Sequence, residues 1–135
     1  ASEKEAIITT TQLIDIVARM VPEKKRNQFL ARIFQAIRIE VNDEMKALEE
    51  MLLDAVDVLN EGGRLVVLSY HSLEDRMVKN LMKNGKLEGE LEKDFFGNPI
   101  KDLTEITRKV IVASRQQIEE NTRARSAKLR IAEKR

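Results

Sequence analysis

Apolar positions recur along this chain with two different periods, and the change from one to the other separates helical from extended stretches. Leu13, Ile14, Ile16, Val17 and Met20 share one side of a 3.6-residue turn, and Thr9 with Gln12 three positions on has the form of a capping box. Together they predict a helix stopped near Pro22. Leu30, Ile33, Phe34, Ile37, Val41, Met45, Leu48, Leu52, Ala55 and Leu59 then recur in steps of three and four. That spacing predicts one long helix, or two abutting helices with a break around Asn42. Behind the turn-forming Gly62-Gly63, the run Leu65-Val66-Val67-Leu68 has no polar alternation, the pattern of a central, parallel strand buried on both faces. Ser72 with Asp75 fits a second capping box, opening a helix through Met77, Val78, Leu81 and Met82. From Asn84 to Pro99, Gly85, Gly89 and Gly97 sit among acidic residues, which reads as a loop or short insertion. Arg108 to Ala113, with Val110, Ile111 and Val112, predicts a second strand, and Ser114 with Gln117 caps a helix after it. The last dozen residues form either a final strand or an extended arm.

Strands alternating with helices make this an α/β layer. Its 135 residues suffice for one compact unit. Aromatics are only 4% of the chain, so aliphatic side chains and Met must build the core. A formal net charge of +1 supplies no bulk attraction to nucleic acid, so any such contact is local. Asp43, Glu44, Glu49, Glu50, Asp54, Asp57 and Glu61 make one helix acidic, whereas Arg123, Arg125, Lys128, Arg130, Lys134 and Arg135 make the tail basic. The absence of cysteine excludes disulfides, thiolate metal sites and cysteine nucleophiles, and no metal centre is expected. It is compatible with a cytoplasmic setting. No apolar run reaches membrane-spanning length, so no membrane partner is expected.

The most distinctive segment, Gly62 to Arg76, reads GGRLVVLSYHSLEDR. It resembles the small-subunit ribosomal RNA (cytosine-N4)-methyltransferase family, whose members follow a strand with Ser-aromatic-His-Ser-Leu-Glu-Asp-Arg. Phe34 to Asn42, FQAIRIEVN, is similar to the family's Phe-Gln-Ala-Leu-Arg-Ile helix, and Arg123 to Lys134, RARSAKLRIAEK, to its carboxyl-terminal segment. The resemblance implies S-adenosylmethionine-dependent methylation of the N4 amine of a cytidine in 16S ribosomal RNA. It also implies the second half of a doubly wound, Rossmann-like methyltransferase fold. Residues 1–40 would be the end of a helical substrate-recognition insertion. Residues 41–135 would be the carboxyl-terminal part of the methyltransferase domain, with its basic tail. Family members are longer and carry a glycine-rich S-adenosylmethionine loop after their first strand; this chain has none. The chain also opens Ala1-Ser2-Glu3 without methionine, so it reads as the back half of a longer enzyme. Such a piece is expected to be inactive alone, to bind S-adenosylmethionine only very weakly, and to self-associate through an unpaired edge and an uncovered face.

Ser69, Tyr70 and His71 fall at the carboxyl end of a strand, where open α/β sheets place their ligand crevices. A lone histidine is more often structural than catalytic; its position here, and the resemblance, favour orienting a base or accepting a proton through water. Tyr70 is either a platform for a splayed base, worth about 1–3 kcal/mol, or a residue packed beneath the next helix. Ser72 is most simply a cap, with substrate contact as the alternative. Arg76 faces solvent, or pairs with a phosphate or with Asp75. Gln35, Arg38 and Asn42 line up as a polar stripe beside an apolar one, a solvated face that the family motif marks for substrate contact. Arg123, Arg125 and Lys128 are the candidates for RNA phosphates. Two rival readings remain: a cofactor-free RNA-binding or ribosome-associated module, and a helical protein-interaction domain built on the acidic helix.

Overall fold

A computed structural model describes residues 6–135, so the opening Ala1-Ser2-Glu3 lies outside the described residues. The chain divides into two compact units, one ending at Glu44 and the other spanning Met45–Arg135.

The first unit is helical. Helix α1, Thr10–Ala18, begins at the expected capping box, with Gln12 N–H donating to Thr9 Oγ1 at 3.2 Å. It ends short of Pro22, and its Val17 is buried. A 3₁₀ turn at Glu23–Lys25 leads into α2, Arg26–Val41. The break expected around Asn42 is real: Asp43 takes a left-handed φ of 52°, which no continuous helix admits.

Helix α3, Glu44–Val58, belongs to the second unit from Met45 onward and is followed there by strand β1, Arg64–Ser69, and helix α4, Ser72–Asn84. Strand β2 is Leu103–Glu105, β3 is Ile111–Val112, helix α5 is Arg115–Glu120, and β4 is Lys128–Lys134. The tail is therefore a strand, and the expected Arg108–Ala113 strand shrinks to two residues. Segment 84–99 is a loop, as its glycines and acids predicted, with a bridge between Lys93 and Pro99. The four-stranded sheet has the order β1-β4-β2, with β3 also beside β4.

Every pairing in this sheet is antiparallel, which corrects the expectation of a parallel neighbour for β1. β1 and β2 both run antiparallel to β4 and are thus parallel to each other, with β4 between them. Nor is β1 central or buried on both faces: among the described residues its second edge has no partner, and only alternate side chains are covered.

Leu65 joins Leu52 and Val56 of α3, Val78, Leu81 and Met82 of α4, Leu103 and Ala132 in one core. Helices α3 and α4 thus cover a single face of the sheet. The opposite face carries the cross-strand pairs Val66–Ile131 and Leu68–Leu129, extended by Ile111. Val66 and Leu68 are each about half exposed.

Candidate functional site

The junction of β1 and α4 is where the lead motif gathers its polar groups. Backbone geometry sets it up. Helix α4 is capped by His71, whose backbone is extended, and not by Ser72, which is already the first helical residue. Glu74, not Asp75, closes the cap: its Oε2 accepts from the N–H groups of Tyr70 and His71 at 3.1 and 3.2 Å. The expected Ser72–Asp75 box is thereby replaced by one shifted back a residue, and Ser72 is left exposed.

The shift frees Asp75 for a different task. It is buried, and its Oδ1 accepts from Arg130 Nε at 2.8 Å while Oδ2 accepts from Lys128 Nζ at 3.2 Å. Burial alone would raise this carboxyl's pKa. Hydrogen bonds from Arg130 and Lys128, with the charges of both, outweigh that and hold it below the usual carboxylate range. The alternation of β4 explains the contact, because Lys128 and Arg130 lie on the helix-covered face with Ala132. Asp75 thus ties the first turn of α4 to the tail strand, joining two of the sequence motifs. Arg76 does not pair with it; it is exposed.

The three strand-end residues have distinct surroundings. Ser69 is 5% exposed on the covered face, its Oγ 3.5 Å from the carbonyl oxygen of Lys128. Tyr70 lies on the open face and is 47% exposed. His71 is half-buried at the cap. Their order Ser-Tyr-His therefore places a buried hydroxyl, an accessible aromatic ring and an imidazole within one turn of backbone.

The remaining expected residues fall elsewhere. In the first unit, Glu44 accepts from Arg38 Nη2 at 3.0 Å and from Asn42 Nδ2 at 3.2 Å, so two members of the polar stripe are held by one carboxylate. Gln35 is half-buried on the same helix. In the second unit, Arg123 and Arg125 are exposed on the 3₁₀ turn Thr122–Ser126, whereas Lys128 shares Asp75 with Arg130.

Sequence reasoning did not anticipate an open cavity of about 400 Å³ beside Tyr70. Its floor is the row Leu68, Leu129 and Ile111, and its wall is α5 and the turn after it, presenting Gln117, Glu120 and Asn121. Nor did it anticipate Phe95 and Phe96, 97% and 84% exposed at the tip of the 93–99 loop, with Asp94 Oδ1 accepting from the Phe96 and Asn98 N–H groups.

The Gly62-Gly63 turn leads into a strand, and its amides are committed: Gly62 N–H donates to Lys134 O at 3.0 Å and Gly63 N–H to Asn60 O at 2.8 Å. Gly63 is needed because a Cβ there would sit 2.8 Å from Asn60 O. No cluster of metal-ligating side chains occurs among the described residues, and no helix among them is long and apolar enough to cross a membrane.

Comparison with known proteins places these features in a family. The model for the MraW methylase family matches residues 1–135. A protein of Flavobacterium psychrophilum named ribosomal RNA small subunit methyltransferase H is 56% identical over 137 residues, which cover 99% of this chain and 46% of that protein. Proteins of the same name from Parabacteroides distasonis and Bacteroides thetaiotaomicron are each 52% identical over 134 residues, covering 99% of this chain and 44% of each relative. The chain thus spans less than half the length of the relatives it matches.

Proposed function

Because this chain belongs to the MraW methylase family, we propose that it is the carboxyl-terminal part of an S-adenosylmethionine-dependent enzyme that methylates the N4 amine of a cytidine in 16S ribosomal RNA. The single observation carrying this reading is the 56% identity, across nearly the whole chain, to a small-subunit ribosomal RNA methyltransferase. On this reading the sheet is the second half of a doubly wound fold, with the unpaired edge of β1 continuing into the remainder. Residues 1–40 end a helical substrate-recognition insertion, and the methyl donor is held by parts of the protein outside this span. This stretch alone does not transfer methyl groups.

What these residues contribute is orientation. The exocyclic amine of cytosine is a poor nucleophile because its lone pair is delocalised into the ring, so transfer requires acceptors that fix the amine and a surface that holds the base. Tyr70 offers the surface, and His71, set at the cap of α4, offers an imidazole that can hold the base or pass a proton. Ser69 secures the end of the strand through its contact with β4. Arg123 and Arg125 meet the phosphates. Gln35, Arg38, Asn42, Ser72 and Arg76 belong to the substrate side in the same proposal, and Lys128 acts on it through Asp75. The cytoplasm is the corresponding setting. The apolar open face in place of a basic one argues against a freestanding RNA-binding module.

The test is made in the full-length protein. Tyr70→Ala and His71→Ala should each lower methyl transfer to small-subunit ribosomal RNA at least about a hundredfold, in the range typical of positioning and acid–base groups, with melting temperature nearly unchanged. Full activity in both variants, or parallel losses of activity and folding, would assign these side chains to packing.

A further inference from the structure

Between the last rung of β1 and the first turn of α4 lie two residues whose backbone N–H groups neither ladder satisfies. Strand β1 pairs with β4 only as far as Ser69 opposite Lys128, and α4 begins at Ser72, so Tyr70 and His71 occupy the gap. One atom takes both N–H groups: Glu74 Oε2 accepts from Tyr70 at 3.1 Å and from His71 at 3.2 Å.

The junction is fixed on either side of that atom. Asp75 N–H donates to the His71 carbonyl at 3.0 Å, while the Asp75 carboxylate is itself anchored by Arg130 and Lys128 of β4. Ser69 is buried, its Oγ 3.5 Å from the Lys128 carbonyl oxygen. Packing does less for Tyr70, which is half-exposed. The apolar contact that commonly pins the residue before a cap is missing too, because its counterpart, the fourth helical residue, is Asp75. The direction of the Tyr70 ring therefore depends on its backbone, and the Glu74 oxygen holds that backbone.

We propose that Glu74 is a positioning residue for methyl transfer, fixing through the Tyr70 and His71 N–H groups the angles at which the ring and the imidazole leave the backbone. The inference rests on the reading above that those two side chains meet the substrate base, and it adds the residue that gives them a common orientation. What this role requires is the place of an oxygen and not its charge. Helix α1 shows the same grip made by a neutral amide: Gln12 Oε1 accepts from the N–H groups of Ile8 and Thr9, the residue before the cap and the cap itself, at 2.8 and 3.0 Å. Reach is the other requirement. An aspartate at position 74 would keep a negative charge in the first turn, where the helix dipole favours it, yet its oxygens would fall one methylene short of both N–H groups. A displacement of about 1 Å at a reacting group is enough to lower a rate about a hundredfold, so a small loosening of the strand end is costly.

The test compares two substitutions in the full-length protein, assayed by steady-state methylation of small-subunit ribosomal RNA at saturating S-adenosylmethionine. Glu74→Asp, which keeps the charge and loses the reach, should lower kcat about tenfold with KM for the RNA changed less than about twofold, because only orientation is lost. Glu74→Gln, which loses the charge and keeps the reach, should hold kcat within about threefold of the unaltered enzyme. Gly62→Ala, a backbone-destabilising change in the turn before β1, should leave kcat in place. Full kcat in Glu74→Asp, an equal loss in Glu74→Gln, or a rise in KM alone would overturn the proposal. So would a matching fall of kcat in Gly62→Ala, which would assign the effect to stability. Tyr70→Ala and His71→Ala, assayed alongside, separate the two claims: full activity in both sinks the reading on which this one rests, whereas their loss with Glu74→Asp fully active sinks this one alone.

Discussion

Asp75 is the residue whose behaviour departs furthest from its sequence appearance. Three positions after Ser72, it has the spacing of a helix cap; in three dimensions it neutralises Arg130, with both side chains only 11% exposed, and Lys128. Removing one partner of a buried pair leaves the other charge desolvated, so Asp75→Asn should cost on the order of 3 kcal/mol, measured by chemical denaturation. The pH dependence follows from the sign of the shift. Because the folded carboxyl is held below its unfolded value, its contribution is complete above about pH 4 and disappears as pH falls through the lowered folded value. Stability of the unaltered chain should therefore hold from pH 7 to 5 and drop below about pH 4, and its advantage over Asp75→Asn should shrink across that same fall. A constant gap between the two at every pH would mean that the ion pair is not the source.

At the level of elements, helix ends carry the sharpest constraints. Helix α4 stops at Gly85, φ 73°, where an added Cβ would lie 2.6 Å from Lys101 Cβ, and Lys101 Nζ in turn donates to the carbonyls of Met82 and Lys83. Gly62 has a similar φ of 78° with nothing within 4 Å. Gly62→Ala should therefore show only the backbone penalty, about 1 kcal/mol, whereas Gly85→Ala adds a steric clash and should cost at least about twice as much in thermal denaturation. Equal costs would mean that Lys101 moves aside freely. The same elements set what could be read in advance. The boxes at Thr9–Gln12 and Ser114–Gln117 and the break at Asn42 were legible because local hydrogen bonds and helix period determine them. The antiparallel partner of β1 was not, because no local signal links Leu65 to Ala132, sixty-odd residues away. The strand end was legible as a polar cluster. The cavity was not, since its floor and wall come from five separate elements.

For the molecule as a whole, the decisive feature is an inversion in β4. Its helix-covered face carries Lys128, Arg130 and Lys134, each compensated, Lys134 by the carbonyl of Val56 at 3.1 Å, while Leu129 and Ile131 lie on the open face beside Val66 and Leu68. An open apolar face next to the unpaired edge of β1 favours association. This chain alone should thus form dimers or larger species in light scattering over a concentration series, and Val66→Lys with Leu68→Lys should return it to monomer. A monomer at all concentrations would show that the face is tolerated in water. The most direct test is to incubate the full-length protein with S-adenosylmethionine and unmodified small-subunit ribosomal RNA, digest the RNA to nucleosides, and identify the product by mass spectrometry. N4-methylcytidine from 16S ribosomal RNA is the expected product, and methyl transfer to another atom or another RNA, or none at all, would contradict the proposed function.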